Sequence, residues 1–135
     1  LEKRKKLALI IGIILLLITG YGLTYIPRSI INIKSTEVTK LTVFNGNSGS
    51  QIEITNRTDI DYIINNLNDV QFQKGKVAIG YMGYSFNTTI YDKKGKSIKN
   101  LIINSEKTIR YKGFFYEAKT NLIDYHYIEN LFITN

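Results

Sequence analysis

Residues 7–26 read LALIIGIILLLITGYGLTYI, twenty consecutive positions without a charge, and they follow directly on the basic run Lys3-Arg4-Lys5-Lys6. At about 1.5 Å of rise per helical residue, the run spans about 30 Å, the thickness of a bilayer's hydrocarbon core. Lys3, Arg4, Lys5 and Lys6 set the orientation, because basic flanks are retained on the cytoplasmic side. Tyr21 and Tyr25 near the far end are amphipathic rings of the kind that favour the headgroup layer. Pro27 and Arg28 then close the helix. The expected organisation is a cytoplasmic stub (1–6), a transmembrane helix (7–27), a juxtamembrane connector (28–37) and an extracytoplasmic domain (38–135). A cleaved signal peptide competes with the retained anchor, since a basic start, an apolar core and the small residues Gly20 and Gly22 suit both. The apolar run continues past those glycines through Leu23, Tyr25 and Ile26, and this favours the anchor. Ala8 and Gly12 have the small-xxx-small spacing that allows two such helices to approach, a spacing also common in helices that do not associate.

Composition narrows the rest. The chain has 135 residues, no cysteine, no tryptophan, ten tyrosines and a formal net charge of +7. Without cysteine there are no disulfides, thiolate nucleophiles, zinc–thiolate sites or lipid-modified cysteine anchors. The 108 residues from Arg28 onward suffice for one core and carry fourteen Lys/Arg against ten Asp/Glu. That mild basicity suits anionic lipid heads or wall polymers, and equally an ordinary solubilising surface. Frequent Ile, Asn, Lys and Tyr indicate AT-rich codons. The sequons Asn56-Arg57-Thr58 and Asn87-Thr88-Thr89 would matter only in a eukaryotic secretory route.

Along the domain, Val38 to Phe44 alternates as a strand, Gly46 to Ser50 forms a turn, and Gln51 to Ile54 returns as its partner. Thr58 reads as the cap of a helix, with Asp61 completing a capping-box-like pair. Ile60, Ile63, Ile64 and Leu67 then recur at i, i+3, i+4 and i+7 as one apolar stripe. A short strand at 70–73 leads to Lys74-Gly75-Lys76 and a glycine-interrupted stretch. Strands follow from Tyr84 to Ile90, at 98–103, at 108–112 and at 114–118, joined by short turns. A last helix is expected at 121–132, capped by Asn121. The fold class is α+β: an N-terminal transmembrane helix, then an antiparallel sheet of about six strands with two helices packed on one face.

The chemistry-bearing residues are few. His126 is the only histidine and falls on the wet side of the last helix without a partnered nucleophile. Asp59 and Asp61 suit the positive end of a helix dipole better than a metal site. The loop from Gly46 to Ser50 joins two strands, whereas phosphate-cradling loops precede a helix. No metal and no cofactor are expected, and the domain reads as non-enzymatic. Tyr81, Tyr84, Tyr111, Phe115 and Tyr116 are the candidate ligand or partner contacts, because tyrosine-rich surfaces suit recognition of glycans and peptides. Nucleic-acid binding fits poorly with an outer location and modest basicity.

With Lys3-Arg4-Lys5-Lys6 and its apolar run, the strand–turn segment Ile90-Tyr91-Asp92-Lys93-Lys94-Gly95-Lys96 and the closing Asp124-Tyr125-His126-Tyr127-Ile128, the chain resembles small single-pass or lipoprotein-like proteins of low-GC Gram-positive bacteria. The resemblance is architectural and implies no activity. The expected function is a membrane-anchored extracytoplasmic binding or accessory module with a bilayer and a membrane-protein or cell-wall partner. A cleaved secreted effector or inhibitor is the alternative.

Overall fold

The computed structural model describes residues 1–83 and 85–134. Helix α1 (Glu2–Leu23) takes in residues 7–23 of the uncharged run, ending three residues before Ile26, and none of its residues is buried. It is long and apolar enough to cross a membrane. A helix hydrophobic on every side has no wet face to offer an aqueous surface.

The remainder is α+β, built on one antiparallel sheet of eight strands rather than about six. These are β1 (Arg28–Ser29), β2 (Val38–Asn45), β3 (Gln51–Ile54), β4 (Gln71–Val77), β5 (Phe86–Asp92), β6 (Ser97–Ile103), β7 (Thr108–Tyr111) and β8 (Phe114–Thr120). They lie in the order β1-β4-β8-β7-β6-β5-β2-β3. The middle of the sheet is a meander, with each strand beside its sequence neighbour. β1 and β4 close one edge, and β2 and β3 close the other. Helices α2 (Arg57–Asp69) and α3 (Tyr125–Thr134) supply Ile60, Ile63, Ile64, Leu67 and Ile128 to a single core shared with Leu41, Phe72, Phe86, Ile90, Leu101 and Ile109. Burial of each large aliphatic side chain is worth about 1.5–3 kcal/mol.

Several local expectations are corrected. Asn56, not Thr58, caps α2: Asn56 is extended and its side-chain oxygen accepts the Thr58 amide at 2.8 Å. A cap must stand outside the helical backbone, and Thr58 is already inside it. Asp61 turns instead to Arg57, 2.6 Å away. Asn121 takes a left-handed backbone (φ 59) and donates to the Asp69 carbonyl, so α3 starts four residues later than expected. There, Asp124 Oδ1 accepts the Tyr127 amide at 3.0 Å, doing the work expected of Asn121.

Strand β4 does not stop at residue 73 but runs through Lys74, Gly75 and Lys76 to Val77. The glycine serves close packing there. A Cβ at Gly75 would stand 3.2 Å from the Phe115 carbonyl oxygen, so the neighbouring backbone can come this near only without a side chain. The strand expected from Tyr84 begins at Phe86; Tyr84 itself lies outside the described residues.

The segment expected to be a connector enters the fold. Its first two residues pair with β4, Arg28 opposite Phe72 and Ser29 opposite Gln71. Ile31 is wholly buried, and Ile30 is 6% exposed. Arg57 holds the following turn by donating to the carbonyls of Val38 (2.9 Å) and Ser35 (2.7 Å). Thr88 is the one buried polar side chain lacking a hydrogen-bond partner among the described residues, which costs about 1–3 kcal/mol.

Helices α2 and α3 are locked by two tyrosine–aspartate pairs. The rings of Tyr62 and Tyr127 stack at 4.1 Å. The Tyr62 hydroxyl donates to Asp124 at 2.5 Å and the Tyr127 hydroxyl to Asp59 at 2.6 Å. The hydrogen bond to Asp59 is the main cause that pushes the Tyr127 phenol from 10.0 to about 12. A phenol raised in the folded state stabilises the fold fully below its unfolded value, and the contribution disappears as pH climbs from about 10 to about 12. Wild-type protein is therefore expected to lose stability in that window relative to Tyr127→Phe. Parallel urea titrations across alkaline pH check this, and curves of equal slope would contradict it.

Candidate functional site

Two features stand out where α1 meets the domain. The first is the junction. Lys74 on β4 extends its ammonium among three rings, 3.9 Å from the centre of Phe114, 5.0 Å from Tyr21 and 5.1 Å from Tyr25. It also reaches Thr24 Oγ1 at 3.5 Å, and the neighbouring Gln73 donates to the Tyr25 carbonyl at 3.3 Å. Tyr21 and Tyr25 meet edge to face at 5.6 Å, with their hydroxyls 3.1 Å apart. Cation–ring contacts are worth about 0.5–1 kcal/mol each when exposed and more when desolvated. The end of α1 is thus held against the sheet by residues on β4 and β8.

The second feature is a cleft of about 600 Å³ beside that junction. Residues 28–33 form one wall, and Ile98, Lys99, Tyr111, Lys112 and Tyr116 form the other. Arg28, Lys99 and Lys112 line it, and no carboxylate does. Lys99 is placed by the β-strand alternation of β6, which turns it to the same side as Leu101 and Ile103. Its ammonium donates to the carbonyls of Ile30 (2.5 Å) and Ile31 (2.7 Å) and lies 5.4 Å from the Tyr111 ring. Burial, and then the positive charge of Lys112, pull its pKa down from the usual lysine value. The cleft is a concentration of positive charge that its own walls do not neutralise. Lys112 sits in the tight turn between β7 and β8 with a left-handed backbone (φ 46) and stands 5.3 Å from the centre of the Tyr111 ring. Such an arrangement can hold an anion by charge-assisted hydrogen bonds from lysine and arginine, with phenol groups as further donors.

The sequence-derived aromatic set is divided by the sheet. Tyr111 and Tyr116 line the cleft. Tyr81 and Phe115 meet edge to face at 5.1 Å, and Phe115 belongs to the opposite face from its neighbour Tyr116 by strand alternation. Lys76 covers this second pair, 4.6 Å from the Tyr81 ring and 3.0 Å from its hydroxyl. Tyr84 lies outside the described residues. Sequence reasoning missed Arg28, Lys99, Lys112 and Lys74. The available signal for Lys99 was strand phase: it falls two residues before Leu101 on the buried side. His126 is exposed and 3.1 Å from Glu129, while Asp59 and Asp61 are engaged by Tyr127 and Arg57.

No protein-family model, curated protein or solved structure matches the chain.

Proposed function

We propose that the protein is a membrane-anchored, extracytoplasmic, non-enzymatic binding module whose basic cleft takes a phosphate-bearing ligand. One observation carries this reading: Arg28, Lys99 and Lys112 line a tyrosine-walled cleft free of carboxylates, next to the end of a helix apolar enough to span a bilayer. Retention of Lys3, Arg4, Lys5 and Lys6 on the cytoplasmic side would put the domain outside. A membrane-protein or cell-wall partner beside the anchor is the natural target of an accessory role.

The anion reading is tested by titrating the full chain, in neutral detergent micelles, with inorganic polyphosphate. Arg28 and Lys112 are exposed, so they can be changed without disturbing the core. The double variant Arg28→Gln/Lys112→Gln is expected to weaken binding at least about tenfold, since each charge-assisted hydrogen bond is worth about 1.5–3 kcal/mol. Lys93→Gln/Lys94→Gln removes the same charge from the turn between β5 and β6 and should bind nearly as wild type does. Equal losses in both double variants would reduce the cleft to unspecific basicity.

A further inference from the structure

The chain from Asp69 to Asp92 contains no acidic residue between its ends, and the middle of it carries the two most exposed apolar side chains of the domain among the described residues. In the loop after β4, Met82 is 96% exposed, Ile79 79% and Tyr81 51%. This loop is braced from behind. Arg110 donates to the carbonyls of Tyr81 (3.0 Å) and Gly83, and the Ala78 amide donates to the Gly113 carbonyl at 2.8 Å. Lys76 and Phe115 hold the Tyr81 ring. Bracing that leaves aliphatic tips in water is costly for a surface facing only solvent, because apolar area gains nothing there.

The position of the loop supplies the reason. Since Ser29 pairs with Gln71 and Arg28 with Phe72, each step along β4 retraces the chain toward α1. Gln73 and Lys74 already touch Tyr25 and Thr24 just past the end of that helix, and Lys74 lies over the Tyr21 ring in its last turn. Phe114, a wall of the Lys74 cage, pairs with Val77, and the next residue back, Gly113, has the Ile79 side chain against it at 3.6 Å from where its Cβ would be. The start of the loop therefore adjoins the anchor by way of Gly113, Phe114 and Lys74. Lys76 and Lys112 accompany the apolar tips, the composition expected of a surface that meets anionic headgroups. The loop leaves Val77 on the anchor's side and closes at the start of β5, where the Gly46 amide donates to the Ser85 carbonyl at 2.7 Å. The tip of the β2–β3 turn lies farther on: register aligns Asn45 with Phe86, Ile103, Ile109, Tyr116 and Lys74, so the chain beyond Asn45 leads away from Val77.

We infer that the β4–β5 loop is a second membrane contact, in which Ile79 and Met82 enter the headgroup layer of an anionic bilayer beside the anchor while Lys76 and Lys112 meet lipid phosphates. The inference rests on α1 being inserted. It implies that the domain is held close against the lipid in one orientation, with its basic cleft at headgroup level.

Because the chain has no cysteine, single sites can be labelled without background. Met82→Cys, Ile79→Cys, Ser48→Cys in the β2–β3 turn and Leu16→Cys in α1 would each carry a polarity-sensitive fluorophore. The full chain is reconstituted in vesicles of phosphatidylcholine and phosphatidylglycerol, and the labels are quenched by aqueous iodide or by nitroxide-bearing lipid. Labels at 79, 82 and 16 are expected to be quenched by the lipid nitroxide and at least about threefold less by iodide than the label at 48, which reports bulk water. If 79 and 82 behave like 48 while 16 is lipid-quenched, the loop contact is wrong and the anchor stands. If 16 is also water-exposed, the anchor reading fails and takes the loop contact with it.

Discussion

Ile31→Asp is expected to unfold the domain, although Ile31 lies in a stretch whose sequence reads as a tether. The side chain is wholly buried and belongs to the common core. Truncating such a residue costs about 2–5 kcal/mol, and a carboxylate in its place adds several more for desolvation. The sum is of the order of a small domain's entire stability, about 5–15 kcal/mol. The substitution also sits where Lys99 donates to the Ile31 carbonyl, so some ion pairing could form; placing the new carboxylate beside that ammonium would still require opening the core. Urea denaturation of the full chain in mild detergent is the check, with Ile31→Val as the conservative companion at about 0.5–1.5 kcal/mol. A cooperative transition for Ile31→Asp at the wild-type midpoint would mean that residues 28–37 are a tether after all.

Leu15→Arg should strongly reduce membrane integration while leaving the domain intact. Leu15 is near the middle of α1, 59% exposed, in a helix with no buried residue. Nothing in the fold depends on it. Exchanging a leucine for an arginine at the centre of a spanning helix moves the insertion free energy by about 3–4 kcal/mol, or a few hundredfold in the equilibrium. The readout is the fraction of chain resisting alkaline extraction from membranes after synthesis in their presence. Leu122→Arg, an exposed site in the domain, should extract as wild type does. If Leu15→Arg resists extraction equally well, α1 is not the element that holds the protein to the bilayer.

The two variants probe opposite kinds of information. Leu15 belongs to a signal carried by uninterrupted composition, legible to anyone who counts charges. Ile31 belongs to a signal that exists only after folding, because an Ile-rich stretch after a proline looks the same whether it crosses water or fills a core. Helix α2 was legible for the first reason: Ile60, Ile63, Ile64 and Leu67 follow the helical period, and all four are buried. The β2–β3 hairpin was legible because its turn residues and its alternation agree. Helix ends were misplaced by two to four residues where several capping side chains stood close together, as with Asn56 and Thr58 or Asn121 and Asp124. Which of them caps depends on backbone angles that the tertiary path imposes.

The candidate site was legible only in fragments. Tyr111 and Tyr116 were singled out as aromatic, but so were Tyr81 and Phe115, which the strand alternation sends to the other face. Lys99 and Ile31 are separated by 68 positions in the chain, and Lys74 and Thr24 by 50. No local pattern encodes such pairs.

By itself, the sequence determined the apolar helix, the charge asymmetry at its start, the α+β class and the amphipathic stripe of α2, since each depends on periodicity or composition within one segment. Only the tertiary structure decided that residues 28–33 are core and cleft wall, that β1 joins the sheet, and that Lys74 grips the end of α1. Those outcomes depend on which distant backbone groups and rings come within hydrogen-bonding or van der Waals reach, and that is set by packing the whole chain at once.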